Sequence, residues 1–301
     1  MPREYRFVQV DVFTDRIFGG NPLAVVLDPA GLGDGEMQAI AREMNLSETT
    51  FVLPPTRPDC AARARIFTPA REIPFAGHPT LGTAWVLATE RRAPPGASRF
   101  ALEEGVGPIA VELEGEPARP NFVWMRHPEA RFGPELRDRD AVARALGLAE
   151  ADLLPGVPVQ SGSTGNDFLF VPLRDPAAVD RAALDARANI EGAGPTAALG
   201  VFVFAPVPGT ADRVYSRMFA PRSGVPEDPA TGSASGPLGA YLVRHGLVKA
   251  GDQVDIVSEQ GVKMGRPSLV RIRLRAPGGQ PTDIRVGGGV VPVLEGRLRL
   301  P

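Results

Sequence analysis

The sequence predicts an α+β protein built from two similar halves, and three observations support this fold class. The 301 residues are 43% hydrophobic and 23% charged, a balance typical of a globular chain with one large or two medium domains. Runs that alternate apolar and polar residues, as strands do, are interspersed with segments of helical periodicity. A strand–loop–helix pattern in the first half also recurs in the second half.

The first half opens with two predicted strands. Residues 7–13 alternate between apolar and polar side chains, and residues 23–27 form an apolar run behind a Gly-Gly-Asn-Pro turn, so a hairpin is expected. Helical spacing predicts a helix over 35–44 with Asp34 as its cap. Further strands are predicted at 50–54, 62–67, 106–114, 122–126 and 168–171, and further helices at 80–89 and 140–146.

The repeat consists of a strand ending in Pro, a Phe-x-Pro segment, and a glycine-rich loop that opens a helix of small residues. The equivalent positions are Phe51 and Phe202, Phe67 and Phe219, and Gly77 and Gly232. A chance similarity between two strand–loop–helix units is the alternative, but the matched order favours a duplication. We expect halves at 1–120 and 121–301, with the boundary somewhere in 115–160 and a C-terminal strand that can return to the first half.

The two glycine-rich loops are candidate anion sites. Gly77 and His78 open one predicted helix, and Gly232 and Ser233 open the other. A helix start leaves backbone N–H groups without partners and carries a partial positive charge, which suits a carboxylate. If the halves are related by duplication, their equivalent loops should face one cleft and hold a small carboxylate from two sides. Two ordinary helix starts are the alternative interpretation.

Three titratable side chains accompany these loops and are the candidate catalytic residues. Glu48 lies between a predicted helix and a strand, His78 opens the first small-residue helix, and Asp228 precedes the second. General acid–base chemistry requires such a group close to the substrate. On periodicity alone, a glutamate at the position of Glu48 is more often a solvated loop charge.

Composition argues against several other classes. The formal net charge of −2 gives no basic face for nucleic acid. The single cysteine, Cys60, excludes a disulfide within the chain and every multi-cysteine metal site, and the three dispersed histidines make a zinc site improbable. Without an apolar leader at the N-terminus or a long apolar run, we expect a cytoplasmic protein that does not bind membranes and holds no metal.

Seven motifs, in order along the chain, resemble those of the phenazine-biosynthesis PhzF-like family. The resemblance runs from about residue 7 to residue 290. The motifs occupy residues 11–14, 20–25, 45–51, 67–69, 77–80, 227–234 and 259–267.

This resemblance implies the diaminopimelate epimerase-like fold, in which each half is a β-sheet wrapped around a central helix. It also implies an isomerase that moves a proton on a small carboxylate without any cofactor, with Glu48 as the general acid/base and His78 and Asp228 assisting. The residues expected to bind the substrate are Asn21, Gly77, Gly232 and Ser233. A homodimer is the expected assembly.

Two alternatives to this isomerase remain at the level of the sequence. One is a racemase or epimerase with a single base, and the other is a binding protein that keeps the anion-binding helix starts without catalysis. A racemase with two opposed thiols is excluded, because Cys60 is the only cysteine and lies outside both glycine-rich loops.

Overall fold

The computed structural model describes residues 3–185 and 198–301, which fall into two compact units. The first unit comprises Met1–Arg126 together with Val286–Pro301, and the second comprises His127–Arg285. The C-terminal segment therefore belongs with the N-terminal part of the chain. The division into 1–120 and 121–301 stays a prediction.

The first unit is a mixed sheet with two helices. β2 pairs antiparallel with β1 and parallel with β3, β4 pairs antiparallel with β3 and β5 and parallel with β6, and β18 pairs antiparallel with β1. β7 continues the sheet antiparallel between β6 and β8. Its elements are β1 (Arg3–Val12), β2 (Asn21–Leu27), α1 (Asp34–Met44), β3 (Glu48–Leu53), β4 (Ala62–Phe67), β5 (Glu72–Ile73), α2 (Gly77–Thr89), β6 (Arg99–Glu104), β7 (Gly107–Glu116), β8 (Arg119–Arg126) and β18 (Val290–Leu300).

The second unit repeats this arrangement. β11 pairs antiparallel with β10 and parallel with β12, and β13 pairs antiparallel with β12 and β14 and parallel with β15. β9 pairs with β10, and β15 pairs with β16, both antiparallel. Its elements are β9 (Arg131–Leu136), α3 (Arg139–Ala145), β10 (Val159–Ser163), β11 (Asp167–Pro172), α4 (Pro176–Arg181), β12 (Gly200–Pro206), β13 (Arg213–Ala220), β14 (Val225–Asp228), α5 (Gly232–Arg244), β15 (Val254–Gln260) and β16 (Ser268–Arg275), followed by β17 (Thr282–Gly288), which ends in the first unit.

The two units match side chain for side chain on β4 and β13. In each, an arginine on that strand forms an ion pair with a glutamate on the next strand and lies over a phenylalanine ring, at 5.2 Å in one unit and 4.8 Å in the other. The equivalent residues are Arg65 and Arg217, Glu72 and Glu227, and Phe67 and Phe219. The predicted α+β fold with two similar halves is confirmed.

A buried helix fills each unit. Eleven of the 13 residues of α2 and 12 of the 13 residues of α5 are buried. Glycines allow the sheet to approach closely: a Cβ on Gly82 would lie 2.6 Å from a Leu23 methyl, and one on Gly239 would lie 2.6 Å from an Ile272 methyl. The small residues that marked both helices in the sequence are therefore required by packing against the surrounding strands.

The other face of each sheet is covered by the remaining helices. In the first unit, Met37 and Ile40 of α1 pack on Phe51 of β3. In the second unit, α3 and α4 cover strands β10 to β12, while Tyr241 of α5 packs on Phe170 from the opposite face. Because both faces are buried, these strands read as continuous apolar runs instead of alternating patterns.

Two helix starts differ from the sequence-based expectation. α1 begins at Asp34 itself, with Gly33 as the N-cap residue. The Asp34 carboxylate instead accepts a hydrogen bond from Arg65, while Glu36 accepts one from the Gly33 amide. α2 begins at Gly77, three residues before the helical run predicted at 80–89 but at the loop that was expected to open it, because Pro79 is accommodated within the first helical turn. Over the described residues, no helix is long and apolar enough to cross a membrane.

Candidate active site

The start of α2 supplies the first group of candidate residues. Its N-cap residue, Ala76, has extended backbone angles, and no side chain caps the helix there. Gly77 and His78 form the first helical positions and are both buried, so their backbone amides are shielded from water. Orphan amides at a shielded helix start, reinforced by the helix dipole, form a site for an anionic group.

Glu48 lies beside this helix start. It is the first residue of β3, where the parallel pairing with β2 places it opposite Leu23. Its Oε2 atom is 3.5 Å from Nε2 of His78, and the two side chains are only 14% and 3% exposed. The structure therefore brings these two predicted catalytic residues together, and it places Glu48 in a largely dry environment instead of on a solvated loop.

The imidazole of His78 is held in its neutral form. Burial lowers the pKa of His78 to about 3, and a hydrogen bond with the backbone of Pro22 acts weakly in the opposite direction. Proline has no N–H group, so the ring must be the donor and the Pro22 carbonyl the acceptor. Because Nε2 is the nitrogen near Glu48, we assign the ring hydrogen to Nδ1. Nε2 then presents a lone pair to the Glu48 carboxyl group and can accept a hydrogen bond from it when Glu48 holds a proton.

Asn21 belongs to the same neighbourhood. It is fully buried at the start of β2, opposite Val12 of β1, and it directly precedes the Pro22 that binds His78. The first unit thus contains four of the predicted site residues around one helix start: Asn21, Glu48, Gly77 and His78. Whether Asn21 contacts a substrate stays a prediction.

The second unit holds the other predicted residues at the start of α5. Asp228 ends β14, Gly232 and Ser233 are the first two residues of the helix, and all three are buried. The hydroxyl group of Thr231, the N-cap residue, donates a 2.6 Å hydrogen bond to Oδ2 of Asp228. No side chain caps this helix start either, so its first amides have the same anion-binding character as those of α2.

Sequence reasoning missed the roles of two residues that hold this loop, Gln260 and Thr231. Gln260 is fully buried and donates from Nε2 to the Asp228 carbonyl at 2.7 Å and to the Thr231 hydroxyl at 3.0 Å. Its Oε1 accepts the Thr231 amide at 3.0 Å. Both residues lie inside motifs that resemble the PhzF-like family, which was the available signal, but neither has an intrinsic chemical role that a sequence pattern would single out.

The direction of these bonds follows from the donors. Gln260 Nε2 carries only hydrogens, so Thr231 Oγ1 accepts there and must use its own hydrogen toward Asp228. The Asp228 oxygen is consequently an acceptor, as an ionised carboxylate would be. Among the described residues, no group of three or more His, Cys, Asp and Glu side chains is arranged to hold a metal ion.

Comparisons with known proteins find relatives over nearly the whole chain. A family model described as phenazine biosynthesis-like protein matches residues 10–296. An uncharacterized isomerase of Mesorhizobium japonicum is 39% identical over 300 residues, which cover 97% of this chain and 98% of that protein. A trans-2,3-dihydro-3-hydroxyanthranilate isomerase of Pseudomonas aeruginosa is 38% identical, over 98% of this chain and 100% of that enzyme.

The fold has a solved counterpart of nearly the same length. The crystal structure of a phenazine biosynthesis protein of the PhzF family from Bacillus anthracis matches with a TM-score of 0.85 at 25% identity. The match covers 98% of this chain and 99% of that one.

Proposed function

Because this chain belongs to the phenazine biosynthesis-like PhzF family and is an isomerase, we propose that it isomerises trans-2,3-dihydro-3-hydroxyanthranilate or a closely similar cyclic amino carboxylate. The observation that carries the proposal is the Glu48–His78 pair, 3.5 Å apart and buried beside an uncapped helix start. Binding of a carboxylate alone would not require a shielded proton acceptor next to a neutral imidazole.

In the proposed reaction, the helix starts at Gly77 and Gly232 bind the substrate carboxylate through their backbone amides. Glu48 removes a proton from one ring carbon and a proton returns at another, so no atom is gained or lost overall. The amides and helix dipoles stabilise the negative charge that spreads toward the carboxylate as the C–H bond breaks. Neutral His78 accepts a hydrogen bond from Glu48 at Nε2 while Glu48 holds the proton, which orients the carboxyl group and limits loss of that proton to water.

Asp228 completes the proposed site as an ionised carboxylate. The Thr231 hydroxyl fixes one of its oxygens, which suits it to orient a donor group of the substrate, such as an amino group. The cytoplasmic location and the homodimer expected from the sequence also belong to the proposal, and light scattering of the purified protein tests the dimer.

The test is to incubate the protein with trans-2,3-dihydro-3-hydroxyanthranilate in D₂O and to follow the product by NMR and mass spectrometry. We expect consumption of the substrate and one solvent deuterium at the carbon that receives the proton, without any added metal or cofactor. Unchanged substrate that binds but takes up no deuterium would contradict the proposed activity. Deuterium uptake with inversion at the original carbon would instead indicate an epimerase.

A further inference from the structure

Two buried side chains occupy equivalent positions in the two units, each at the end of a strand. Glu104 ends β6 and Gln260 ends β15, and each of these strands pairs parallel with the strand that carries the equivalent arginine, Arg65 in one unit and Arg217 in the other. The next residue is glycine in both cases. A Cβ on Gly105 would meet Pro74 at 2.8 Å, and one on Gly261 would meet Pro229 at 2.5 Å. Each glycine therefore lets its strand end press against the proline that precedes a helix start.

Glu104 contacts its helix start in the way that Gln260 contacts the other. Gln260 accepts the backbone amide of the N-cap residue of α5. The N-cap residue of α2, Ala76, likewise donates a backbone hydrogen bond to Glu104. Glu104 also lies 2.5 Å from the hydroxyl of Thr80, and that hydroxyl is 2.6 Å from the Ala76 carbonyl. The repeat thus extends beyond the loops to the residues behind them.

The hydrogen count around Thr80 requires a proton on Glu104. Three oxygens form two short contacts: Oε1 of Glu104, Oγ1 of Thr80 and the carbonyl of Ala76. Thr80 brings one hydrogen, and the carbonyl brings none, so the second must come from the carboxyl group. A protonated carboxyl carries an acceptor oxygen beside a donor group, as the amide of Gln260 does.

We propose that Glu104 and Gln260 are equivalent positioning residues, each holding the N-cap residue of one anion-binding helix start, and that Glu104 does so as a neutral carboxylic acid. That these helix starts bind the substrate rests on the proposed function. The equivalence itself rests on the geometry of each unit alone.

Burial supports the neutral form. Glu104 is 5% exposed, so an ionised carboxylate at this position would carry a large desolvation cost. Desolvation accordingly raises the pKa of Glu104 to about 8. It lines a cavity of about 490 Å³ with charged side chains of the neighbouring strands. These charged neighbours are Arg63 and Arg65 of β4, Glu72 of β5 and Glu103 of β6. The helix that carries Thr80, α2, has one titratable side chain in its first turn, the buried and neutral His78.

The test compares Glu104→Gln with Glu104→Ala. The glutamine variant reproduces the side chain found at the equivalent position, so we expect its turnover of trans-2,3-dihydro-3-hydroxyanthranilate at pH 7 to stay within about threefold of wild type. The alanine variant loses the bonds to Ala76 and Thr80, and we expect its turnover to fall at least about tenfold. Circular dichroism and the unfolding midpoint establish that both variants are folded.

A second measurement does not depend on activity. In ¹³C NMR of protein labelled at the glutamate carboxyl carbons, the signal absent from Glu104→Gln should titrate near pH 8 in the wild type. The wild-type folding constant should also fall by roughly 50-fold relative to Glu104→Gln between pH 6 and pH 8. The reason is that, at a pH between the pKa of Glu104 in the unfolded chain and its higher pKa in the folded protein, only the folded protein keeps the Glu104 proton. The free energy of unfolding therefore decreases as the pH rises through this range.

The outcomes separate the two proposals. If the wild type does not turn over the substrate but the Glu104 carboxyl titrates near pH 8, the proposed function is wrong and the neutral Glu104 stands. A Glu104 signal that titrates below pH 5 overturns the neutral carboxylic acid. If folded Glu104→Gln loses as much turnover as Glu104→Ala, an amide cannot replace the carboxyl group, and the equivalence with Gln260 is wrong.

Discussion

At the residue scale, the chemistry depends on the order of groups around His78. The carbonyl of Pro22 takes the one ring hydrogen, so the other ring nitrogen presents its lone pair to Glu48. His78 therefore assists the base Glu48 as a neutral hydrogen-bond acceptor and adds no positive charge to the site. Because His78 is neutral, the backbone amides of the helix start, and not a charged imidazole, would bind the substrate carboxylate.

Replacing Glu48 with glutamine should remove the base while keeping the shape of the site. Glu48→Gln retains the helix starts, so we expect substrate affinity to stay within about tenfold of wild type, while turnover falls roughly 100-fold or more, the usual contribution of general acid–base catalysis. Solvent deuterium exchange into the substrate measures the loss directly. Exchange at the wild-type rate in this variant would rule out Glu48 as the base.

Buried neutral histidines should make the protein sensitive to acid. Burial lowers the pKa of His127 to about 3, as it does for His78. Between this value and the unfolded pKa near 6.5, the unfolded chain binds more protons, so stability decreases as pH falls. From pH 7 to pH 5, wild type should lose about 2 kcal/mol more of its free energy of unfolding than His127→Gln does.

Urea unfolding at the two pH values measures this difference. His127 suits the experiment because it is not one of the predicted site residues, and its Nδ1 atom lies 2.7 Å from the hydroxyl of Thr164. Equal losses of stability in the two proteins would show that His127 is protonated in the folded state as readily as in the unfolded chain.

At the scale of elements, α5 depends on close contact with the segment beside it. A Cβ on Gly236 would lie 2.3 Å from Nδ1 of His127, whereas a Cβ on Gly35 in α1 would meet nothing within 4 Å. Both glycines lie in helices, but a side chain at Gly236 would clash with a neighbour whereas one at Gly35 would have free space. This contrast separates steric packing from helix propensity.

Substituting alanine at each glycine should change stability in opposite directions. Gly236→Ala should destabilise the fold by about 1–3 kcal/mol, because His127 must move in a fully packed interior. Gly35→Ala should stabilise it by up to about 1 kcal/mol, because alanine favours the helix and restricts the unfolded chain. Denaturant midpoints give both values, and a Gly236→Ala protein as stable as wild type would show that this part of the unit is loosely packed.

The helices and strands also show which local patterns predict structure well. The strand predicted at 62–67 matches β4, Ala62–Phe67, because its alternation reflects one buried face. The cap of α1 was wrong, since Asp34 forms its bond to Arg65, a residue distant in sequence. The helical run at 80–89 marked α2 three residues short of its start, whereas the glycine-rich loop pattern placed the start at Gly77, because Pro79 fits the first helical turn.

At the scale of the whole molecule, the C-terminal strand joins the ends of the chain. β18 pairs with β1 along its whole length, from Arg3 opposite Leu300 to Val12 opposite Val290. The first unit therefore cannot complete its sheet until the last residues are available. Removal of the strand would leave one side of β1 without its ladder of backbone hydrogen bonds.

Deleting residues 290–301 should strongly destabilise the first unit. We expect the melting temperature to fall by roughly 10 °C or more, or the cooperative transition of this unit to disappear. Deleting only residues 300 and 301 is the matched control and should have little effect, because a single ladder position is lost. Calorimetry distinguishes these results, and an unchanged transition in the longer deletion would show that β18 contributes little to folding.

The sequence by itself determined the class of fold, the duplication and the residues at both helix starts. These properties depend on local periodicity, on glycine and proline at loops and on motif order, all of which act between near neighbours. It also brought forward Glu48, His78 and Asp228 as a set, through the resemblance of their motifs to one family.

Only the tertiary structure decided what these residues experience. The pairing of Glu48 with His78 depends on the register of β2 against β3, and the neutral imidazole depends on burial beneath the sheet. Glu104 is 24 residues from Thr80, and Gln260 is 29 residues from Thr231. These contacts form only when the end of a strand packs behind the loop that precedes each helix. Such interactions arise from desolvation and long-range contact, which a one-dimensional pattern does not encode.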